Sequence, residues 1–160
     1  MQIEPQVLRL ALGRFATGVT IVTCRSLEGE PVGLTVNSFS AVSLEPPLVL
    51  WSLRLNSPSL GSFRKAGHFA VNVLAQDQIE LSRRFASPVH DRFAEGHWLP
   101  GQGGAPVLQD CAAAFQCRTE RELDIGDHLL MIGRVLALEH RPVPPLVFQA
   151  GHYHQLGASL

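Results

Sequence analysis

The chain has 160 residues, enough for one domain with a sizeable core and few for two, so residues 1–160 are expected to form a single unit. Apolar residues make up 46% and charged residues 17%, a composition that suits a globular protein with some surface buried against a partner. The net charge of −1, with no block of Lys or Arg, argues against nucleic acid and anionic membrane surfaces as partners.

No window approaches 18 uninterrupted apolar residues, and the start MQIEPQVLRLALGRF is amphipathic without a signal-peptide core. Cys24, Cys111 and Cys117 are odd in number and lack C-x-x-C spacing, which fits reduced thiols and a cytoplasmic place.

In chain order, Pro5 suits a first helical turn, with Leu8, Leu12 and Phe15 on one face and Gly18 as the stop. TGVTIVTC is a β-branched strand, and SLEGEP is a turn into Gly33. The stretch GLTVNSFSAVSL alternates as a half-buried strand until Asn37, where the alternation slips by one residue. After Pro46-Pro47, LVLWSL (48–53) is a further strand. Ser57 is expected as N-cap of a short helix, with Pro58 at its first position and Gly67 as C-cap. HFAVNVL (68–74) is a strand, and QDQIELSRRFA (76–86) is a helix. From Ser87 to Pro106 no period survives, and this run is expected to be an irregular lid or interface segment, with Phe93 and Trp98 as lid residues or interface anchors. Strands resume at 112–118 and 129–138 around an IGDH turn, and GHYHQL suits a last short strand. The predicted fold is mainly β, a barrel with short flanking helices.

A phase slip in a strand implies a bulge or bend that re-aims side chains. Here it would turn Thr35, Asn37, Ser38 and Ser40 towards one polar concavity, suited to a ligand with many hydrogen-bonding edges. Ser and Asn also cap strand-to-turn transitions with nothing bound, so the cluster alone reads two ways. Asn56, Ser57 and Ser59 surround a helix start, a favourable seat for an anion, and Arg83 or Arg84 can grip a phosphate bidentately. Together these suggest a ligand with a flat ring and a phosphate tail.

The motifs GVTIVT, GLTVNSFSAVSLEPPLVL, NSPS followed by FAVNVL, and later GDH with a closing GHYHQL resemble the flavin reductase-like family, the FMN-binding split-barrel reductases. The resemblance spans about Leu8 to Leu156. It implies a Greek-key split β-barrel, a homodimer with flavin (FMN or FAD) near the subunit interface, and NADH or NADPH docking without a Rossmann domain. No G-x-G-x-x-G follows a strand. By position it places Thr35, Asn37, Ser38 and Ser40 along the flavin ring and ribityl chain with Ser52 beside them. Asn56, Ser57 and Ser59 fall at the phosphate, with Arg83 or Arg84 as the assisting cation. His128 in GDH falls near the nicotinamide. Tyr153, read from its own position, either faces the cleft or packs, and the cleft is preferred.

The implied reaction is hydride transfer from the nicotinamide to flavin N5, with reduced flavin leaving for a flavin-dependent monooxygenase or passing electrons to oxygen or ferric iron. A flavin- or haem-holding split-barrel protein without turnover is the alternative, and the GDH turn favours the reductase. A pyridoxine-phosphate oxidase would need a second basic cluster, and none is evident. His152 and His154 share a strand face, but without a third ligand at suitable spacing no metal site is expected. Asp127 reads as a turn residue.

Overall fold

A computed structural model describes residues 2–160. Helix α1 (Pro5–Leu12) is followed by β1 (Thr17–Gly18), β2 (Thr20–Arg25), β3 (Pro31–Val36), β4 (Ser40–Ser43) and β5 (Leu48–Arg54). Next come α2 (Leu60–Ala66), β6 (His68–Val73), α3 (Ile79–Phe85), β7 (Trp98–Pro100) and β8 (Pro106–Leu108). The long strands β9 (Ala113–Ile125) and β10 (His128–His140) and the short β11 (Val147–Gln149) and β12 (His152–His154) complete the chain.

Seven strands form one antiparallel sheet in the order β3-β2-β6-β9-β10-β5-β4, with a small sheet β1-β11-β12 and a hairpin β7-β8 beside it. The edge strands β3 and β4 are joined by only Asn37, Ser38 and Phe39, so the sheet must curl until its edges meet. No ladder joins β3 to β4 in that sheet, which leaves a seam. The result is the expected mainly β split barrel with Greek-key connectivity.

Two cores lie on opposite faces of this sheet. β6 and the residue after it supply both, with Phe69 and Val71 facing one and Ala70 and Leu74 the other. Trp51 packs inside the barrel against Phe63 of α2 and Phe69, with ring centroids 4.8 and 5.9 Å away. Val32, Leu34 and Val36 face the same interior, and after the slip Phe39 does too. The slip therefore keeps apolar side chains in the core across the corner.

Several expectations are corrected. The run 87–106 is ordered: it contains a 3-10 turn (Arg92–Ala94) and the β7-β8 hairpin. Phe93 and Trp98 pack on buried Phe85 at 5.0 and 5.3 Å, so they are core residues of the outer layer. Arg92 ties the segment down by donating to the carbonyls of Gly33 (2.8 Å) and Ser87 (2.8 Å), and Arg84 donates to those of Asp91 and Arg92. α1 ends at Leu12 with Gly13 as its cap, leaving Gly18 in β1 and Phe15 beyond the helix. β9 runs seven residues past the predicted end at Arg118, as far as Ile125.

Candidate functional site

The phase slip, the end of β5 and the β9-β10 turn converge on one pocket of about 550 Å³. Its lining includes Thr35, Asn37, Ser38, Ser52, Asn56, Ser57 and His128, which the sequence placed in the site, together with Arg54, which it did not. Period-2 alternation turns Ser52 and Arg54 to one face of β5 while Leu53 enters the core. Across the ladder His128 is the Cα partner of Arg54.

The hydroxyls divide into those spent on the wall and those left for a ligand. Ser38 Oγ accepts the Ser52 amide N–H (2.9 Å) and donates to the Ser52 carbonyl (3.3 Å), tying the β3–β4 corner to β5. Thr35 Oγ1 donates to the Ser82 carbonyl at 2.7 Å, anchoring β3 to α3. Among the described residues the side chains of Asn37, Ser52 and Asn56 have no hydrogen-bond partner.

The corner after β5 is a tight turn rather than a helix start. Ser57 N–H bonds to Arg54 O (3.0 Å), Ser59 N–H to Ser57 Oγ (3.2 Å) and Leu60 N–H to Ser57 O (3.2 Å). α2 begins only at Leu60, because these bonds close the chain into turns first. The expected Ser57 cap and Pro58 first position are thus corrected by two residues, and the amides there are used internally. Ser57 Oγ retains its own hydrogen to donate.

His128 Nδ1 lies 2.7 Å from Asp127 Oδ1. An ionised carboxylate only accepts, so Nδ1 carries the proton and Nε2 is left free of that contact. The hydrogen bond from His128 holds the Asp127 carboxyl below its ordinary range. Leu55 N–H donates to Asp127 O (3.0 Å), fastening this turn to the β5 corner.

Five residues that the sequence places in the site lie outside this lining. Ser40 is exposed, and its hydroxyl donates to Ala41 O at 3.2 Å. Ser59 sits at the α2 cap position outside the lining. Arg83 and Arg84 line a separate cavity of about 440 Å³. Arg83 pairs with Glu80 (2.5 Å) and covers the Tyr153 ring (5.7 Å). Tyr153 OH is 2.7 Å from Ser82 Oγ, in a small cavity of about 210 Å³ that shares Thr35 and Asn37 with the main pocket. His152 and His154 are exposed, and among the described residues no three His, Cys, Asp or Glu side chains converge.

The chemistry of the donor set fits a flavin. Neutral amides and hydroxyls suit a ring whose edge alternates donors and acceptors, and the volume lies in the range for such ligands.

A sequence profile described as the flavin reductase like domain matches residues 12–157. The chain belongs to that family. It is 46% identical over 145 residues to the FMN reductase (NADH) SmoA of Agrobacterium fabrum, covering 91% of this chain and 82% of the relative. A Rhizobium meliloti protein named "Probable flavin reductase" is 45% identical over 150 residues, 94% of this chain, and the chain spans only 48% of its length. Among solved structures, the NADH:FAD oxidoreductase SgcE6 of Streptomyces globisporus in complex with NAD and FAD fragments superposes with a TM-score of 0.91 at 33% identity. That match covers 98% of this chain and 97% of SgcE6. In this flavin reductase-like chain no helix of the described residues is long and apolar enough to cross a membrane.

Proposed function

We propose that the chain is an NADH-dependent flavin reductase that delivers reduced flavin to a partner flavin-dependent monooxygenase. The observation that carries this reading is the pocket itself, where unspent neutral donors and His128 meet at one seam of the barrel. The names of relatives support it: an FMN reductase (NADH), an NADH:FAD oxidoreductase, and a reductase subunit of a flavin-dependent monooxygenase from Rhodococcus jostii.

When bound, flavin supplies the two-electron acceptor for the nicotinamide hydride. The chain's part is binding and orientation. Asn37 and Ser52 hold the ring edge from either side of the seam, and Asn56 and Ser57 hold the far end. His128, steadied by Asp127, places the nicotinamide through Nε2. No proton needs to be removed for hydride transfer, so the pocket needs no general base.

The family's homodimer is part of the same proposal. α1 buries none of its residues, and Leu10, Leu12 and Phe15 line a largely apolar cavity of about 830 Å³ that also touches Asn37 and Ser38. A second copy seated there removes that surface from water and completes the outer wall of the flavin site. The three free, buried thiols accord with a reducing, cytoplasmic setting.

Titration of the purified protein with FMN and FAD, followed by flavin fluorescence, tests the binding half. Saturable binding that weakens in Asn37→Ala is expected. No saturable binding of either flavin would refute the reading.

A further inference from the structure

We propose that Arg54 is the phosphate-binding cation of this pocket, a role the sequence motifs point to in Arg83 or Arg84. The inference rests on the flavin-reductase reading above. Its first ground is position. Arg54 lines the pocket on the same strand face as Ser52, beside Asn56 and Ser57, and opposite His128 in the ladder.

Its second ground is availability. Arg83 is paired with Glu80, Arg84 is held by loop carbonyls, and Arg64 is bound to Asp124 at 2.7 Å. Arg54 has neither an ion pair nor a side-chain hydrogen bond among the described residues. Asp127, at the same corner, is hydrogen-bonded by His128, and the Arg54 charge adds a smaller pull on its carboxylate without forming an ion pair.

The third ground is need. The Ser57, Ser59 and Leu60 amides are consumed by the turn, so they offer an anion little. Asn56 and Ser57 can donate hydrogen bonds but cannot neutralise charge. A guanidinium fork does both, and matches a phosphate bidentately. The Arg54 carbonyl accepts Ser57 N–H at 3.0 Å, so the cation and the neutral donors belong to one rigid turn.

Two phosphates can occupy this seat, the 5′-phosphate of the flavin and the pyrophosphate of the nicotinamide nucleotide. Each has a phosphate-free counterpart. Binding of FMN and of riboflavin is measured by fluorescence, and KM is measured for NADH and for 1-benzyl-1,4-dihydronicotinamide. Wild type, Arg54→Gln, Arg54→Lys, Arg83→Gln and Arg84→Gln are compared.

Arg54→Gln is expected to weaken the phosphate-bearing member of one pair tenfold or more while its counterpart changes less than twofold. Loss in the flavin pair assigns the flavin phosphate, and loss in the nicotinamide pair assigns the pyrophosphate. Arg54→Lys should recover part of the loss, because a single ammonium restores charge without the fork. Arg54 is exposed, so the variants should keep the wild-type melting temperature. Unchanged values in both pairs, or a selective loss in Arg83→Gln or Arg84→Gln instead, would overturn the proposal. If wild-type protein binds neither FMN nor riboflavin, the flavin-reductase reading fails and takes this assignment with it.

Discussion

Ser38 and Asn37 are neighbours with different jobs, and substitution separates them. Ser38 bonds both backbone groups of Ser52 and so ties the β3–β4 corner to β5; Ser38→Ala should cost stability, about 1 kcal/mol, seen as a lower denaturation midpoint. Asn37 has no partner of its own among the described residues. Asn37→Ala should leave the midpoint near wild type and weaken flavin binding by about 1 kcal/mol, read by titration. His128→Ala should lower kcat/KM for NADH roughly tenfold, about 1.4 kcal/mol in the transition state, with flavin affinity little changed. Lost flavin binding with intact turnover would move His128 to the flavin side instead. Arg54 escaped the sequence reading for a simple reason. The apolar run LVLWSL stops at Leu53, although alternation carried one residue further puts Arg54 on the face of Ser52.

The strongest packing constraint among the elements lies in β10. At Gly133, where β9 and β10 shift register, a Cβ would overlap the edge of the Phe69 ring and lie 2.9 Å from Cys117 Cβ. Gly133→Ala should destabilise the protein by about 1–3 kcal/mol in chemical denaturation, because these neighbours are fully buried. Two kinds of strand are legible in the sequence: β2 and β6 are short, β-branched or apolar runs buried almost throughout, and β5 and the first half of β10 alternate between core and site. The outer half of β9 was not. Residues 118–124 are mostly charged, and the strand is sustained there by its ladder to β10 and by pairs such as Glu120 with Arg134 (2.9 Å). The 87–106 run was also opaque, since its order comes from tertiary packing of Phe93 and Trp98 and from Arg92 bonding distant carbonyls. The sequence points to a helix start at Ser57, but the Ser57 hydroxyl takes the Ser59 amide into a turn first, so α2 starts later.

On the scale of the whole molecule, three thiols report on the integrity of both cores. Burial pushes Cys24 and Cys117 up to about 12, and burial followed by the charge of Glu139 pushes Cys111 up to about 11. A folded-state value above the unfolded one means that stability is fully present below the unfolded thiol range, near 8.5, and declines as pH rises towards the folded values. The melting temperature should therefore fall as pH is raised from about 9 to 11. At pH 8 a thiol reagent should find no fast-reacting cysteine in the native protein and three in denaturant. Assembly is the second property at this scale. With Leu10, Leu12 and Phe15 at 69%, 65% and 78% exposure, light scattering should give twice the 17.5-kDa chain mass, and Leu12→Asp should shift it towards the monomer.

Steady-state oxidation of NADH, followed at 340 nm with purified protein and added FMN or FAD, tests the central claim most directly. The account predicts turnover that saturates in both NADH and flavin and falls in His128→Ala. Absence of flavin-dependent NADH oxidation, in protein that binds flavin with wild-type stoichiometry, would contradict it and leave a flavin-holding barrel without turnover.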